Sequence, residues 1–248
     1  MDQNQKSGTV ILCGSSGRLG SLILKESQNH LYPFQVYAPL RSEVLEKITQ
    51  QKDSYWLLDV TLPEGTESLV DFFLQNPLQK KILKGMIIGS TGHSDLLLQK
   101  IQKLSEDLPI IVVSNFSLGV MALQEILKAS IDKDFKVIDL LKSLGFLSSL
   151  VEIHHIHKKD KPSGTAKSLA HAAQISFEDV VSLREGEVVG DHKLIYSREG
   201  EELSFQHIAH DRNIFAKGAL KLLERAMGQK FKPGIYESKD VFRDTLAP

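Results

Sequence analysis

Residues 9–29, TVILCGSSGRLGSLILKESQN, decide the fold of this chain. The apolar run Thr9–Cys13 reads as a buried parallel strand, and a glycine-rich turn follows it at once. That turn, Gly14-Ser15-Ser16-Gly17-Arg18-Leu19-Gly20, leads into a helix with Leu19, Leu22, Ile23 and Glu26 at helical spacing. Strand, glycine turn and helix together suggest a dinucleotide-binding βαβ unit. Glycines let the backbone approach a pyrophosphate, and the helix start adds N–H groups and partial positive charge. The spacing is GxxGRxG rather than GxGxxG, which loosens the motif but keeps its mechanics. A tight turn without any cofactor is the competing reading. Arg18, a cation inside the turn, favours a phosphate.

Outward from this unit, FQVYA (34–38) reads as a second strand, ending in Pro39-Leu40-Arg41-Ser42. An NAD-selective site would place an acid here for the ribose hydroxyls, and none occurs before Glu43. Arg41 and Ser42 suit a 2′-phosphate instead, so NADPH should be tolerated; a solvated surface arginine is the plainer alternative. Residues 54–65 form a third strand and a Pro-Gly loop, with a helix to about residue 76. Residues 85–94 form a fourth strand ending in Gly89-Ser90-Thr91-Gly92, after which Ser94 caps a helix carrying Leu97, Ile101 and Leu104 on one face. Residues 109–120 form a fifth strand with Ser114 and Asn115 at its end. Strands alternating with helices give a parallel sheet, whose crevice lies outside the strand C-termini. The Gly14 turn, Gly89–Thr91 and Ser114–Phe116 converge there.

From Ser117 the pattern changes. Ser117 caps a helix with apolar positions Leu123, Ile126, Leu127 and Ile131. The periodicity either runs on through Phe135, Ile138 and Leu141 or yields to a strand, and Gly145 ends the segment. LSSLVEIHHIH (147–157) reads as a strand, and KLIYS (193–197) with ELSFQHI (202–208) as an antiparallel hairpin. This predicts an α/β chain: a Rossmann-type parallel-sheet nucleotide domain (1–116 with 213–248) and an open α+β substrate and oligomerisation domain (117–212) with a mixed sheet. A helix resumes near Asn213 and stops at Gly228, and FKPGIYESKDVF reads as a compact tail packed on a domain.

Composition narrows the function. Thirty basic and 31 acidic side chains leave a formal charge of −1, unlike a dedicated nucleic-acid binder. The single Cys13 cannot form an internal disulfide, which favours a reducing compartment. No apolar run is long enough to cross a bilayer, and the polar start MDQNQKSG lacks the apolar core of a signal peptide. The expectation is a cytoplasmic protein with a small-molecule ligand and neither nucleic acid nor membrane as partner.

The chemistry concentrates in VEIHHIHKKDKPSGTAKSLA (151–170). Strand alternation puts Glu152, His154 and Ile156 on one face and His155 and His157 on the other, if the strand persists that far. Lys158-Lys159-Asp160-Lys161-Pro162 forms a loop, in which mutual repulsion would lower one lysine pKa. Ser163 caps the next helix, whose first N–H groups, at Gly164 and Thr165, suit a carboxylate or phosphate. A metal held by His154, His155 and His157 is disfavoured because alternation divides the three. A serine nucleophile at Ser163 lacks the GxSxG turn. Histidines satisfied by neighbours beside a capped helix remain the bland alternative. The favoured reading is an anionic-substrate site with a histidine or lysine proton donor and no metal.

EIHHIHKKDKPSGTA resembles the signature E-x-HHxxKxDxPSGTA of the 4-hydroxy-tetrahydrodipicolinate reductase (dihydrodipicolinate reductase) family of the lysine pathway. GSSGRLG, DVTLPEGT, GSTG, NFSLGV, RNIFAKGA and PGIYESKDV are similar to further family motifs in the same order. The resemblance implies reduction of a cyclic dicarboxylate by NADPH or NADH in lysine and diaminopimelate biosynthesis. It implies His154 and Lys158 as catalytic proton donors, and His155, Ser163, Gly164 and Thr165 as substrate carboxylate ligands. The cofactor would contact Gly14, Ser15, Ser16, Gly17, Arg18, Leu19, Arg41, Gly89, Ser90, Thr91, Val113, Ser114, Asn115 and Phe116. It further implies a homotetramer assembled through the second sheet. Lys161 departs from the family's usual alanine, and Leu40 stands where relatives often carry an acid. A non-catalytic dinucleotide-binding sensor and a reductase of another anionic imine share these residues.

Overall fold

The computed structural model describes residues 8–29 and 32–243, so the polar start at 1–7 and the end of the expected nucleotide domain at 244–248 lie outside it. The described residues form two compact units, one from residues up to 116 together with 215 onward, the other from 117–214.

In the first unit the chain runs β1 (Thr9–Cys13), α1 (Arg18–Ser27), β2 (Gln35–Tyr37), α2 (Val44–Thr49), β3 (Tyr55–Asp59), α3 (Pro63–Gln75), α4 (Pro77–Ile82), β4 (Leu83–Ile88), α5 (Asp95–Ser105) and β5 (Pro109–Val112). The second unit contributes α6 (Leu118–Lys128), α7 (Val137–Ser143), β6 (Leu147–His154), α8 (Gly164–Ala173), β7 (Val180–Arg184), β8 (Gly190–Arg198) and β9 (Glu201–Ala209). Helix α9 (Asn213–Met227) carries the chain back to β10 (Gly234–Glu237) and α10 (Asp240–Arg243).

The first sheet has six parallel strands in the order β10-β5-β4-β3-β1-β2. Its central strands are buried on both faces, which is why they read as unbroken apolar runs. Alternate residues feed two cores. Val10, Leu12, Trp56, Leu58 and Ile87 pack with α1 and α9, while Ile11, Tyr55, Leu57, Met86 and Ile88 pack with α2, α3 and α5. Strand order departs from chain order between β1 and β3, the kind of switch point outside whose strand C-termini open α/β sheets bind ligands. Backbone bonds stitch the loops above this edge in sequence: Val60 N–H to Cys13 O at 3.0 Å, Gly89 N–H to Asp59 O at 2.8 Å and Val113 N–H to Ile88 O at 2.8 Å.

The second sheet, β7-β6-β8-β9, is mixed: β6 runs parallel to β7 and antiparallel to β8, and β8 and β9 form the expected hairpin. Leu150, Leu194 and Tyr196 point to the face covered by α6, α7 and α8. The other face carries Val151, Ile153, Val181, Leu183 and Ile195 in adjacent registers, and Val181 and Leu183 remain 50% and 45% exposed.

Several expectations are corrected. The aromatic tail is not merely packed down: β10 joins the parallel sheet beside β5. Helix α4 and strand β7 were not foreseen. The helix from Ser117 stops at Lys128, and Ile126 and Ile131 are exposed rather than inward. A turn intervenes before α7, in which the Asp132 carboxylate accepts the Asp134 and Phe135 N–H groups at 3.2 and 3.1 Å. Ser94 and Ser117 are N-caps as expected, accepting from Leu97 and Val120 N–H.

Candidate active site

In the first unit, Gly14 follows β1 with φ +90°, and a Cβ there would lie 2.7 Å from Val60 O. The left-handed backbone and the close β3 loop both require glycine. Gly20 is tighter still, with a Cβ position 2.1 Å from Gly14 O, so α1 packs directly beneath the turn. The start of α1 has no side-chain cap at Gly17, so its orphan N–H groups have no side-chain acceptor there. Ser16, Arg18 and Arg41 are exposed, and Ser15 and Leu19 half-buried. Between β3 and β4 lies a hydrogen-bonded chain. Buried Asp59 accepts from Thr61 Oγ1 (2.6 Å) and Thr66 Oγ1 (2.5 Å), Thr66 meets Ser90 Oγ at 2.5 Å, and Ser90 meets His93 Nε2 at 2.8 Å. Burial raises the Asp59 pKa, and the threonine bonds offset part of that. Ser90 thus turns its hydroxyl inward, leaving exposed Thr91 on the outer side of this loop. Val113 and Phe116 are buried, the Phe116 ring filling the space where a Gly89 Cβ would stand, 2.4 Å away. Ser114 is exposed and Asn115 half-buried.

In the second unit, β6 delivers Glu152 and His154 to its covered face at alternate positions. Strand pairing ends at His154, where Glu185 N–H bonds to His154 O at 2.8 Å. His155 and His157 therefore lie in a turn beyond the strand, and Ile156 is exposed rather than aligned with His154. Glu152 is fully buried and is the centre of the site. Its Oε1 accepts Ser163 N–H at 3.1 Å and Arg184 Nη2 at 3.0 Å. Its Oε2 stands 2.9 Å from His154 Nδ1, a short contact that is poorly aligned as a hydrogen bond. Burial alone would raise the Glu152 pKa, but the neighbouring His154, Ser163, Ser182 and Arg184 outweigh it and hold the carboxyl well below the usual range.

Arg184 binds the site together. Besides Glu152 it donates to Lys158 O at 3.1 Å, to Leu183 O at 2.6 Å and to Asp160 O. The fork geometry of a guanidinium allows these bonds at once, which an ammonium could not match. Lys158 has an acidic partner in its own loop: its Nζ pairs with Asp160 Oδ1 at 2.9 Å. The Gly164 N–H lies near enough to the Asp160 carboxylate to favour its charged form. Burial raises the Asp160 pKa less than these donors, with Lys158 foremost, lower it. Ser163 is buried and caps α8, accepting Ala166 N–H at 3.1 Å, while Gly164 is exposed and Thr165 half-buried. His155 is half-buried, and desolvation with nearby Arg212 lowers its pKa.

A second imidazole, His192 of β8, lies opposite Glu152 in register and edge-on to His154, ring centroids 5.0 Å apart. Its Nε2 is 3.4 Å from Ser163 Oγ. Burial first, then His154, push its pKa down to about 4, so it is neutral at physiological pH. Gly190 makes room for both rings, since a Cβ there would stand 3.1 Å from His154 Nε2. Glu152, His154 and His192 bring ligand atoms within 4.8 Å of one another. The Arg184 guanidinium already holds that carboxylate, which makes the cluster an ion-pair centre rather than a cation cage. The structure thus brings together Glu152, His154, Lys158 and Ser163, and adds Arg184 and His192, which the sequence reading missed. Both lie in REGEVVGDH (184–192), to which the sequence reading assigned no role.

Residues 9–116 match the family model described as dihydrodipicolinate reductase, N-terminus, and residues 134–242 match dihydrodipicolinate reductase, C-terminus. The chain is similar to proteins named 4-hydroxy-tetrahydrodipicolinate reductase from Bdellovibrio bacteriovorus (34% identity, 93% of this chain and 94% of that one) and Nitratiruptor sp. (30%, 93% and 97%). Its fold resembles the dipicolinate-bound dihydrodipicolinate reductase of Paenisporosarcina sp. TG-14, with a TM-score of 0.66 at 20% identity over 92% of this chain and 97% of that one.

Proposed function

The chain belongs to the dihydrodipicolinate reductase family, and from that premise we propose how its residues carry the reaction. It is an NAD(P)H-dependent reductase that converts 4-hydroxy-tetrahydrodipicolinate to tetrahydrodipicolinate in lysine and diaminopimelate biosynthesis. The observation that carries the residue assignment is the grouping around Glu152 of a histidine, the first residue before α8 and, through Arg184, the loop that carries Lys158.

Glu152 Oε2 at 2.9 Å favours a proton on His154 Nδ1, which leaves Nε2, on the Gly190 side, as the atom that exchanges a proton with substrate. Bound NAD(P)H supplies the hydride. His154 and Lys158 meet the charge that the reduction leaves on the substrate, as proton donors. Gly164 and Thr165 N–H groups at the start of α8, with His155 and the Ser163 segment, hold a substrate carboxylate. Arg184 fixes the loop that carries Lys158 through its carbonyl oxygens.

The first unit suits a dinucleotide. Its left-handed Gly14 and tightly packed Gly20, where a Cβ would strike backbone, bring the uncapped start of α1 close against the end of β1, as a dinucleotide turn needs. Gly14–Leu19, Gly89–Thr91 and 113–116 would hold the cofactor, with Arg41 and Ser42 receiving a 2′-phosphate, so NADPH is used at least as readily as NADH. The open face of the second sheet, apolar from Val181 and Leu183 through Ile153 to Ile195, supports a homotetramer. No helix among the described residues is long and apolar enough to cross a membrane, and a cytoplasmic location fits this chemistry.

The test is oxidation of NADPH and of NADH by the purified protein, followed by the loss of the reduced nicotinamide's absorbance, with substrate generated freshly in the cuvette. Turnover that depends on the substrate supports the proposal. Cofactor binding without turnover on this or any related imine would mean a sensor that kept the fold.

A further inference from the structure

A carboxylate of the protein's own already lies among the donors assigned to the substrate. Asp160 pairs with Lys158 Nζ at 2.9 Å, and the Gly164 N–H at the start of α8 lies near enough to help hold its carboxyl below the usual range. These are a catalytic cation and a carboxylate-binding N–H of the reading above, on which this inference rests. The Asp160 side chain is 52% exposed, so it is held by these donors rather than by packing. Its backbone is fixed independently, because Arg184 Nη2 donates to Asp160 O and Arg184 Nε to Lys158 O. The side chain can therefore swing away about its own torsions while the loop stays in place.

We propose that Asp160 sets the affinity of the site for anions: it is an intramolecular carboxylate that pairs with Lys158 beside the start of α8 and swings away when a carboxylate ligand binds. Exchange of one carboxylate for another on the same cation yields little net affinity. Asp160 also keeps Lys158 paired between turnovers, which is why the loop needs an acid although the substrate is anionic.

The prediction runs opposite to that for an ordinary structural ion pair. Removing the charge should tighten anion binding, since a negative charge about 5 Å from the incoming carboxylate, at an effective dielectric of about 60, is worth roughly sixfold in affinity. Asp160→Asn keeps the hydrogen-bonding shape, and Asp160→Ser is the second variant should the first fold poorly. Binding of pyridine-2,6-dicarboxylate and of pyridine-2-carboxylate is measured by calorimetry on the full chain, alongside KM for the substrate. Tightening of about fivefold for both ligands with a matching fall in KM, and little change in Asp160→Glu, supports the inference. Unchanged or weaker binding in a folded variant overturns it. A wild-type protein that binds neither ligand and turns over no substrate would instead overturn the reading beneath it.

Discussion

Glu152→Gln is nearly isosteric and isolates the charge at the centre of the site. In the folded protein Oε1 accepts from Ser163 N–H and Arg184 Nη2, so the amide must keep its oxygen on that side. Its NH₂ then faces His154 Nδ1, where Oε2 stood at 2.9 Å, and that nitrogen must become an acceptor. The neutral ring then carries its proton on Nε2, and without the carboxylate beside Nδ1 the doubly protonated imidazole that would donate to substrate is harder to form. Removing the carboxylate that supports a catalytic histidine costs on the order of 10²–10⁴ in kcat. Stability falls as well, because Arg184, its side chain only 8% exposed, loses its counter-charge. Breaking a buried ion pair costs about 3–5 kcal/mol, and the three carbonyls that Arg184 retains place the loss near 3 kcal/mol. That corresponds to roughly 6–12 °C in the melting temperature of a chain this long. The loss depends on pH with a definite sign. Because the folded carboxyl is held below its ordinary value of 4.5, its stabilisation is complete above that pH and vanishes as pH falls further. The wild-type and variant melting curves should therefore converge in strong acid. Turnover from the cofactor's absorbance and thermal melts at pH 7 and below 4 check both parts. A variant within about twofold of wild-type turnover, melting within about 1 °C, would refute the central role given to Glu152.

His154→Ala and Lys158→Ala should each slow turnover by about 10² or more while changing cofactor affinity by less than about twofold, and equal loss of cofactor binding would contradict their roles. Arg41→Ala should weaken NADPH by about tenfold and leave NADH nearly untouched, read by fluorescence titration; equal losses would remove Arg41 from the 2′-phosphate. His192→Gln should flatten the acid destabilisation. The native imidazole titrates near 4 against an ordinary 6.5, so protonation favours the unfolded chain increasingly as pH drops between those values, on the order of 3 kcal/mol in all. Parallel wild-type and variant stability curves across that range would rule this out. Leu183→Lys, on the open sheet face, should dissociate the assembly, and an unchanged sedimentation mass would place the interface elsewhere.

Much of the first unit was legible because strands buried on both faces must be apolar throughout. Thr9–Cys13, Tyr55–Asp59 and Leu83–Ile88 are all of this kind. Strand β10 was not, since GIYE sits at the sheet edge, half polar, and becomes a strand only by pairing with β5 far away in sequence. Strand β7, VVSLR, turns Val181 and Leu183 outward and only Val180 toward the core, and so imitates a loop or a surface helix. The break after Lys128 did leave a mark, the run Asp132-Lys133-Asp134, whose first carboxylate caps a turn. The ordered motifs identified His154, Lys158 and Ser163. Arg184 and His192 reach the site only through sheet register, His154 pairing with Arg184 across β6 and β7 and Glu152 with His192 across β6 and β8. No spacing rule within one segment encodes such neighbours.

The same register explains why a carboxylate is buried here at all. A buried ion pair seldom adds stability over apolar residues of equal volume, so Glu152 and Arg184 call for a chemical reason. A bare carboxylate beside His154 would orient the ring but also hold its proton against transfer. Sharing that carboxylate with Arg184 and the Ser163 N–H leaves Oε2 to orient Nδ1 while the guanidinium offsets its charge. His192, neutral through burial, fills the adjacent space without adding a competing cation. Lys158 is kept in reach by a loop whose carbonyls end on the same guanidinium. Arg184 thus couples the orientation of one proton donor to the position of the other, although it touches neither reacting nitrogen.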